Sequence, residues 1–241
     1  MVRSITVSVP DRLLLKDLEK YRKTDIELGS AASKIMTTDK ILIDERVRAK
    51  CFLPACGSLG KNACCPPHAP DLNFVRKVVK NFQSAIFYTI KVASSESAGK
   101  EFRRKKLGIK AAMKNWEIAG KICGKAFYDG YPLAMGFAGG PYEPYLCNGS
   151  VCDFLAGKGC KSLTLSRPSM DALGMNAFTM DGGEPWVENL SHRQVSHPVK
   201  SPLRHKTWLC SHILRKTSLT ELHKPPPLPG RPSEFDHVVN K

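Results

Sequence analysis

The chain has 241 residues, with 37 Lys and Arg against 22 Asp and Glu, for a net charge of +15. Apolar residues make up 42%, enough for a sizeable core, which excludes a wholly disordered chain. No uninterrupted run of 18 apolar residues occurs, so a membrane-spanning helix is excluded at the level of sequence, and no membrane partner is expected. The start, Met1-Val2-Arg3-Ser4, leads into a short apolar run broken by Asp11 and Arg12, which is not the pattern of a secretory signal. A reducing, cytoplasmic setting is therefore expected. There, nine cysteines, an odd number, are more naturally metal ligands than a disulfide framework.

In chain order, Leu14, Leu15, Leu18 and Tyr21 fall at helical spacing and predict a helix over 10–22. Lys34-Ile35-Met36 and Ile41-Leu42-Ile43 read as two short strands. Residues 51–70 form a Cys-, Pro- and Gly-rich loop, after which Asp71 stands where an N-cap belongs. Leu72, Val75, Val79 and Phe82 then make one apolar stripe. Ala85–Ile90 is a continuous β-prone run and reads as a central buried strand. A long helix is expected over 98–128, broken near Gly108, with Ile109, Met113, Trp116, Ala119, Cys123 and Phe127 inward. Its Arg103-Arg104-Lys105-Lys106 run reads as a solvated face. A nucleic-acid footprint is the weaker alternative, because no aromatic interleaving or reading motif accompanies the run, although the charge permits weak nucleic-acid or anionic-surface binding. Pro132–Phe137 is a further strand, followed by the turn Gly139-Gly140-Pro141, a second cysteine loop over 139–168, and a helical turn capped by Ser169. The predicted fold is α/β: a small layered sheet with flanking helices and two cysteine-bearing metal-binding loops, in one domain over residues 1–180.

Seven cysteines fall into two groups, Cys51-x4-Cys56-x7-Cys64-Cys65 and Cys147-x4-Cys152-x7-Cys160. A metal needs such flexible loops, because several sulfurs must converge to about 2.3 Å from one ion. Thiolates select zinc, copper(I) or iron–sulfur clusters. Zinc modules usually pair cysteines two to four residues apart, often with His, whereas here His68 is the one histidine before His192. Cys65-Pro66 instead has the Cys-Pro step of ferredoxin-type cluster loops, and thiolate-only ligation favours iron–sulfur over zinc. Core cysteines are the plain alternative, but they rarely cluster on Pro- and Gly-rich loops. Cys123 lies on the apolar face of the long helix and reads as packing. His68 reads as a solvated loop residue, Tyr142 and Tyr145 as covering the second group, and Cys210 has no assigned role. Arg167 is expected to pair with an anionic cluster, with an acidic helix, or with solvent alone.

Val47-Arg48-Ala49-Lys50-Cys51 with Cys56, followed by Cys65-Pro66-Pro67-His68-Ala69-Pro70, resembles the opening motif of a family of predicted metal-binding proteins, domain-of-unknown-function family 2284. A second stretch also resembles that family. It runs from Gly139-Gly140-Pro141 through Cys147, Cys152 and Cys160 to Arg167-Pro168-Ser169-Met170-Asp171-Ala172-Leu173-Gly174-Met175. The likeness covers roughly residues 25–180. It implies metal ligation by Cys51, Cys56, Cys65, Cys147, Cys152 and Cys160, and no established reaction. Cys64 departs from the pattern, in which the cysteine stands directly before Pro-Pro.

Two functions follow as expectations. The first is a redox or cofactor-handling module with an iron–sulfur cluster of the four-iron type and a redox partner protein. Three thiols per loop suit such a cluster with one iron open, or four of the six close one site between the loops, with Cys64, Cys123 or His68 able to add a ligand. The second is a structural zinc module with a basic interaction surface. A lone cysteine nucleophile lacks a partner base apart from His68, and no phosphate-binding loop or zinc-protease motif occurs. Beyond residue 180 the family pattern stops and six of the seven histidines appear. Pro225–Gly230 suits no regular packed element. Residues 181–241 are therefore expected to be either a disordered extension or a frame-shifted tail. Ser191–Pro198, back-translated and read in another frame, yields a segment like the one family members carry before their last strand.

Overall fold

The computed structural model describes residues 10–93, 108–139, 146–147, 152–180 and 205–214. Its helices are α1 (Asp11–Glu27), α2 (Glu45–Ala49), α3 (Leu72–Lys80), α4 (Gly108–Tyr128) and α5 (Ala177–Met180). Its strands are β1 (Ala32–Thr37), β2 (Ser84–Ala93), β3 (Met135–Gly136) and β4 (His205–Leu214), joined in one antiparallel sheet of order β1-β2-β4-β3. Helices with a small antiparallel sheet make this an α/β fold.

The sheet is covered on both faces. Ile86, Tyr88 and Ile90 of β2 meet Leu14, Leu18 and Tyr21 of α1 and Trp116 and Ile122 of α4. Ala85 and Phe87, on alternate positions, meet Val75, Val79 and Phe82 near α3 together with Met170, Leu173, Met175 and Met180. A strand buried on both faces has no solvent side to show, which is why residues 85–90 form a continuous β-prone run without polar alternation. The α3 stripe was legible because that helix buries one face, with Val75 and Val79, and exposes the other, and Asp71 caps it by accepting the Phe74 N–H at 3.0 Å.

Polar ties fix α1 and α4 on their face of the sheet. Tyr88 donates to Asn115 Oδ1 at 2.9 Å, both residues being buried. Tyr21 donates to Asp129 Oδ2 at 2.7 Å, Lys20 reaches the same oxygen at 2.6 Å, and Tyr131 donates to Asp17 at 2.9 Å. Each phenol is thereby satisfied inside an otherwise apolar layer, which removes the cost of burying it.

Several expectations are corrected. Ile41–Ile43 is not a strand. Only Ile43 makes a bridge, to Met175, because residues 38–40 turn the chain out of the sheet after β1. The Pro132–Phe137 strand shrinks to two residues. On α4 the buried side runs through Ala112, Trp116, Ala119, Ile122, Cys123 and Ala126, while Phe127 is 53% exposed and stacks edge-on to Tyr128. A helical stripe passes through Ala126, so Phe127 lies 100° further round. Residues 205–214, expected to lie in a tail without packed elements, form β4 between β2 and β3 over ten paired positions. Both neighbours have backbone groups that need partners, and the β-prone Thr207, Trp208, Leu209 and Ile213 suit a strand there. Residues 94–107, 181–204 and 215–241, including the basic run and the proline stretch, lie outside the described residues.

Candidate metal centre

The first cysteine loop is tied to its own ends. Asp44 caps α2 by accepting the Arg46 N–H at 2.8 Å. The Arg46 guanidinium beside it holds that carboxyl down at about 2. Cys51 follows α2, its N–H donating to Arg48 O at 2.9 Å, and Cys56 N–H donates back to Cys51 O at 2.9 Å. Asn62, fully buried, accepts the Cys64 N–H at 2.9 Å through its side chain and the Cys65 N–H at 3.3 Å through its carbonyl. Cys65 O then accepts from Ala69 N at 2.9 Å. The Arg48 guanidinium donates to Ala69 O at 3.2 Å and to Pro70 O, so the residue that precedes the loop also clasps its end.

The second loop also closes on itself. Ala138 and Ser169 form a parallel bridge, with Ala138 N donating to Pro168 O and Met170 N to Ala138 O, both at 2.9 Å. Within it Cys152 O accepts from Ala156 N at 3.1 Å, and Lys161 pairs with Asp153 at 2.7 Å. The Asp153 carboxylate raises the Lys161 pKa, with a further contribution from Cys147. Arg167 donates to Leu163 O at 2.9 Å and Ser166 O at 2.7 Å, so it braces this loop's own backbone rather than an acidic helix. Ser169 caps the following turn by accepting the Ala172 N–H at 3.0 Å, as expected. The returning arm lies against α4. A Cβ added at Gly120 would sit 2.4 Å from the Thr164 carbonyl oxygen, so only glycine admits this approach.

The two loops meet. Asp44 N donates to Gly174 O at 2.8 Å and Asn176 N to Leu42 O at 2.9 Å, which joins the end of the second motif to the start of the first. Gly174 has φ +68° there, and a Cβ would stand 3.1 Å from Asp44 O, so glycine is required twice over. Cys64 Sγ lies 3.6 Å from Ser166 Oγ. Cys64 and Leu146, neighbours in the chain of Cys65 and Cys147, both pack against the core cluster formed by α1, β2 and α4.

Of the six predicted ligands, Cys56 is exposed, Cys51, Cys65, Cys147 and Cys160 are half-buried, and Cys152 is buried; none is in a disulfide. Burial pushes the Cys51 thiol up; Asp171 and Cys56 add to this and Arg48 opposes it. Among the described residues no three His, Cys, Asp or Glu side chains stand together at metal-holding distance. The donor set is the soft, thiol-rich kind that suits zinc or an iron–sulfur cluster, and the remaining convergence would accompany metal binding. His68 is exposed and Cys123 is buried on α4, both as read from the sequence. Tyr142 and Tyr145 lie outside the described residues. Sequence reasoning missed Arg48, Asn62 and Gly120. Arg48 stood inside the quoted Val47–Cys51 motif, but its partners are carbonyls 21 and 22 residues away.

A family model described as "Predicted metal-binding protein (DUF2284)" matches residues 34–192, a span that contains both cysteine loops. No curated protein and no solved structure matches the chain.

Proposed function

Because this chain belongs to the DUF2284 family of predicted metal-binding proteins, we propose that it holds an iron–sulfur cluster, of the four-iron type, in a redox or cofactor-handling role. Cys51, Cys56 and Cys65 on one loop and Cys147, Cys152 and Cys160 on the other are the ligands of this reading. The observation that carries it is the pairing of two thiol-bearing loops, each closed on itself and the two joined by backbone hydrogen bonds. Such a cluster supplies one-electron exchange when bound. The chain's own contribution is to hold the loops and to balance charge. Arg48 places a cationic group near Cys51 that opposes, without reversing, the rise that burial imposes on that thiol, and Lys161 stands near Cys147. The net charge of +15 suits an acidic redox partner protein, with which long-range attraction speeds encounter.

His68, the histidine of the first loop, is exposed, and together with the Cys65-Pro66 step this favours iron–sulfur over zinc. The second reading is a structural zinc module presenting a basic interaction surface, and the same charge supports it. Anaerobic purification followed by iron, sulfide and zinc assay separates the two. Brown protein with near-equal iron and sulfide is expected. Colourless protein with stoichiometric zinc would replace the first reading by the second, and neither metal would refute both.

A further inference from the structure

We propose that the two cysteine loops share a single metal centre, with Cys65 and Cys147 among its ligands, rather than filling two independent sites. This rests on the metal-binding reading above and specifies its site. Four observations carry it. Cys64 Sγ and Ser166 Oγ are 3.6 Å apart, so the residue before Cys65 already touches the second loop. Cys64 and Leu146, the chain neighbours of Cys65 and Cys147, both pack against the core cluster that contains Ala112 and Trp116 of α4, so each loop seats a residue next to a candidate ligand on that core. The returning arm of the second loop lies on that helix too, with the Thr164 carbonyl against Gly120. The hydrogen bonds Asp44 N–Gly174 O and Asn176 N–Leu42 O lock the stems of the two loops together at 2.8 and 2.9 Å.

These restraints act on ligand supply. Each loop alone offers three family-type thiols, one short of a four-coordinate structural site. Neighbouring loops with locked stems remove that shortage, because a thiol from the second loop needs only a local loop movement to complete the set. The free energy of ligation then pulls the two loops onto one ion or cluster, coupling folding of both to one binding event. Independent sites would instead draw each loop in on itself, and nothing in the Cys64–Ser166 contact or the shared core cluster would serve them.

The test counts centres in the full chain. Apo-protein is titrated anaerobically with iron and sulfide, or in a parallel arm with zinc, and read by native mass spectrometry. A shared centre gives only empty and singly loaded chains throughout, whichever metal is retained. In the Cys65→Ser and Cys147→Ser variants, each change alone should lower loading at least tenfold. Two centres per chain in the wild type would overturn the inference while leaving the metal-binding function standing. Retention of one intact centre by each variant would do the same. No uptake of either metal would overturn both. Two loaded centres in the wild-type titration overturn the inference even if a variant does not fold.

Discussion

Gly120 and Gly124 lie one turn apart on α4 and should respond to alanine in opposite directions. In a helix interior, Gly→Ala is favourable by about 0.8–1 kcal/mol. At Gly124 nothing lies within 4 Å of the added Cβ, so Gly124→Ala should realise that gain. At Gly120 the Cβ would sit 2.4 Å from Thr164 O and 3.4 Å from its carbonyl carbon, so backbone must retreat. That backbone is held by Leu165 N–Ser162 O at 3.0 Å, Ser166 N–Ser162 O at 2.7 Å and the Arg167 bond to Leu163 O at 2.9 Å. Overpacking of this kind costs about 1–3 kcal/mol, which cancels or exceeds the propensity gain. The two variants should therefore differ by about 1–3 kcal/mol in urea unfolding, or roughly 2–12 °C in Tm for a chain of this size. Displacing Thr164 also moves Ser166 away from Cys64, so Gly120→Ala should bind metal more weakly than Gly124→Ala. Equal stabilisation by both, with equal metal retention, would refute the close approach of the second loop to α4.

Cys65→Ser should lose metal while Cys64→Ser keeps most of it, read by metal per chain after anaerobic reconstitution; equal loss would add Cys64 to the ligands. At Asp129, burial pushes the carboxyl up, but Lys20 and Tyr21 outweigh it and leave it below its ordinary value. A lowered folded-state value means the unfolded chain binds the proton more readily. The stabilisation is therefore complete above the ordinary carboxylate range, about pH 4, and is lost as pH falls through the folded value. Asp129→Asn should cost about 1 kcal/mol at neutral pH, because the amide oxygen still accepts from Tyr21 but without charge assistance and the exposed Lys20 pair is screened, and should flatten the acid limb of the stability curve. An unchanged acid limb would remove Asp129 from that account. Ending the chain before His205 strips β4 from β2 and β3 and should abolish a cooperative unfolding transition by circular dichroism; a truncated chain melting like the full one would refute the sheet order.

Short-range features were determined by the sequence itself. The Asp71 and Ser169 caps, the α1 and α3 stripes and the doubly buried β2 each depend on residues within a few positions of one another, and the two thiol groups that suggest a metal are likewise each local. Capping, helical period and ligand chemistry need no more than that. Only the tertiary structure decided the rest. Whether Ile43 is a strand or a lone bridge depends on Met175, and whether residues 205–214 form a strand depends on backbone groups of β2 and β3 that need partners. Gly120 looks like a weak helix residue until Thr164 arrives above it. Arg48 looks like one more surface charge until the carbonyls of Ala69 and Pro70 close on it. In each case the deciding partner is distant in sequence, and the energy that selects it is realised only when a backbone group or a packing gap is left to fill.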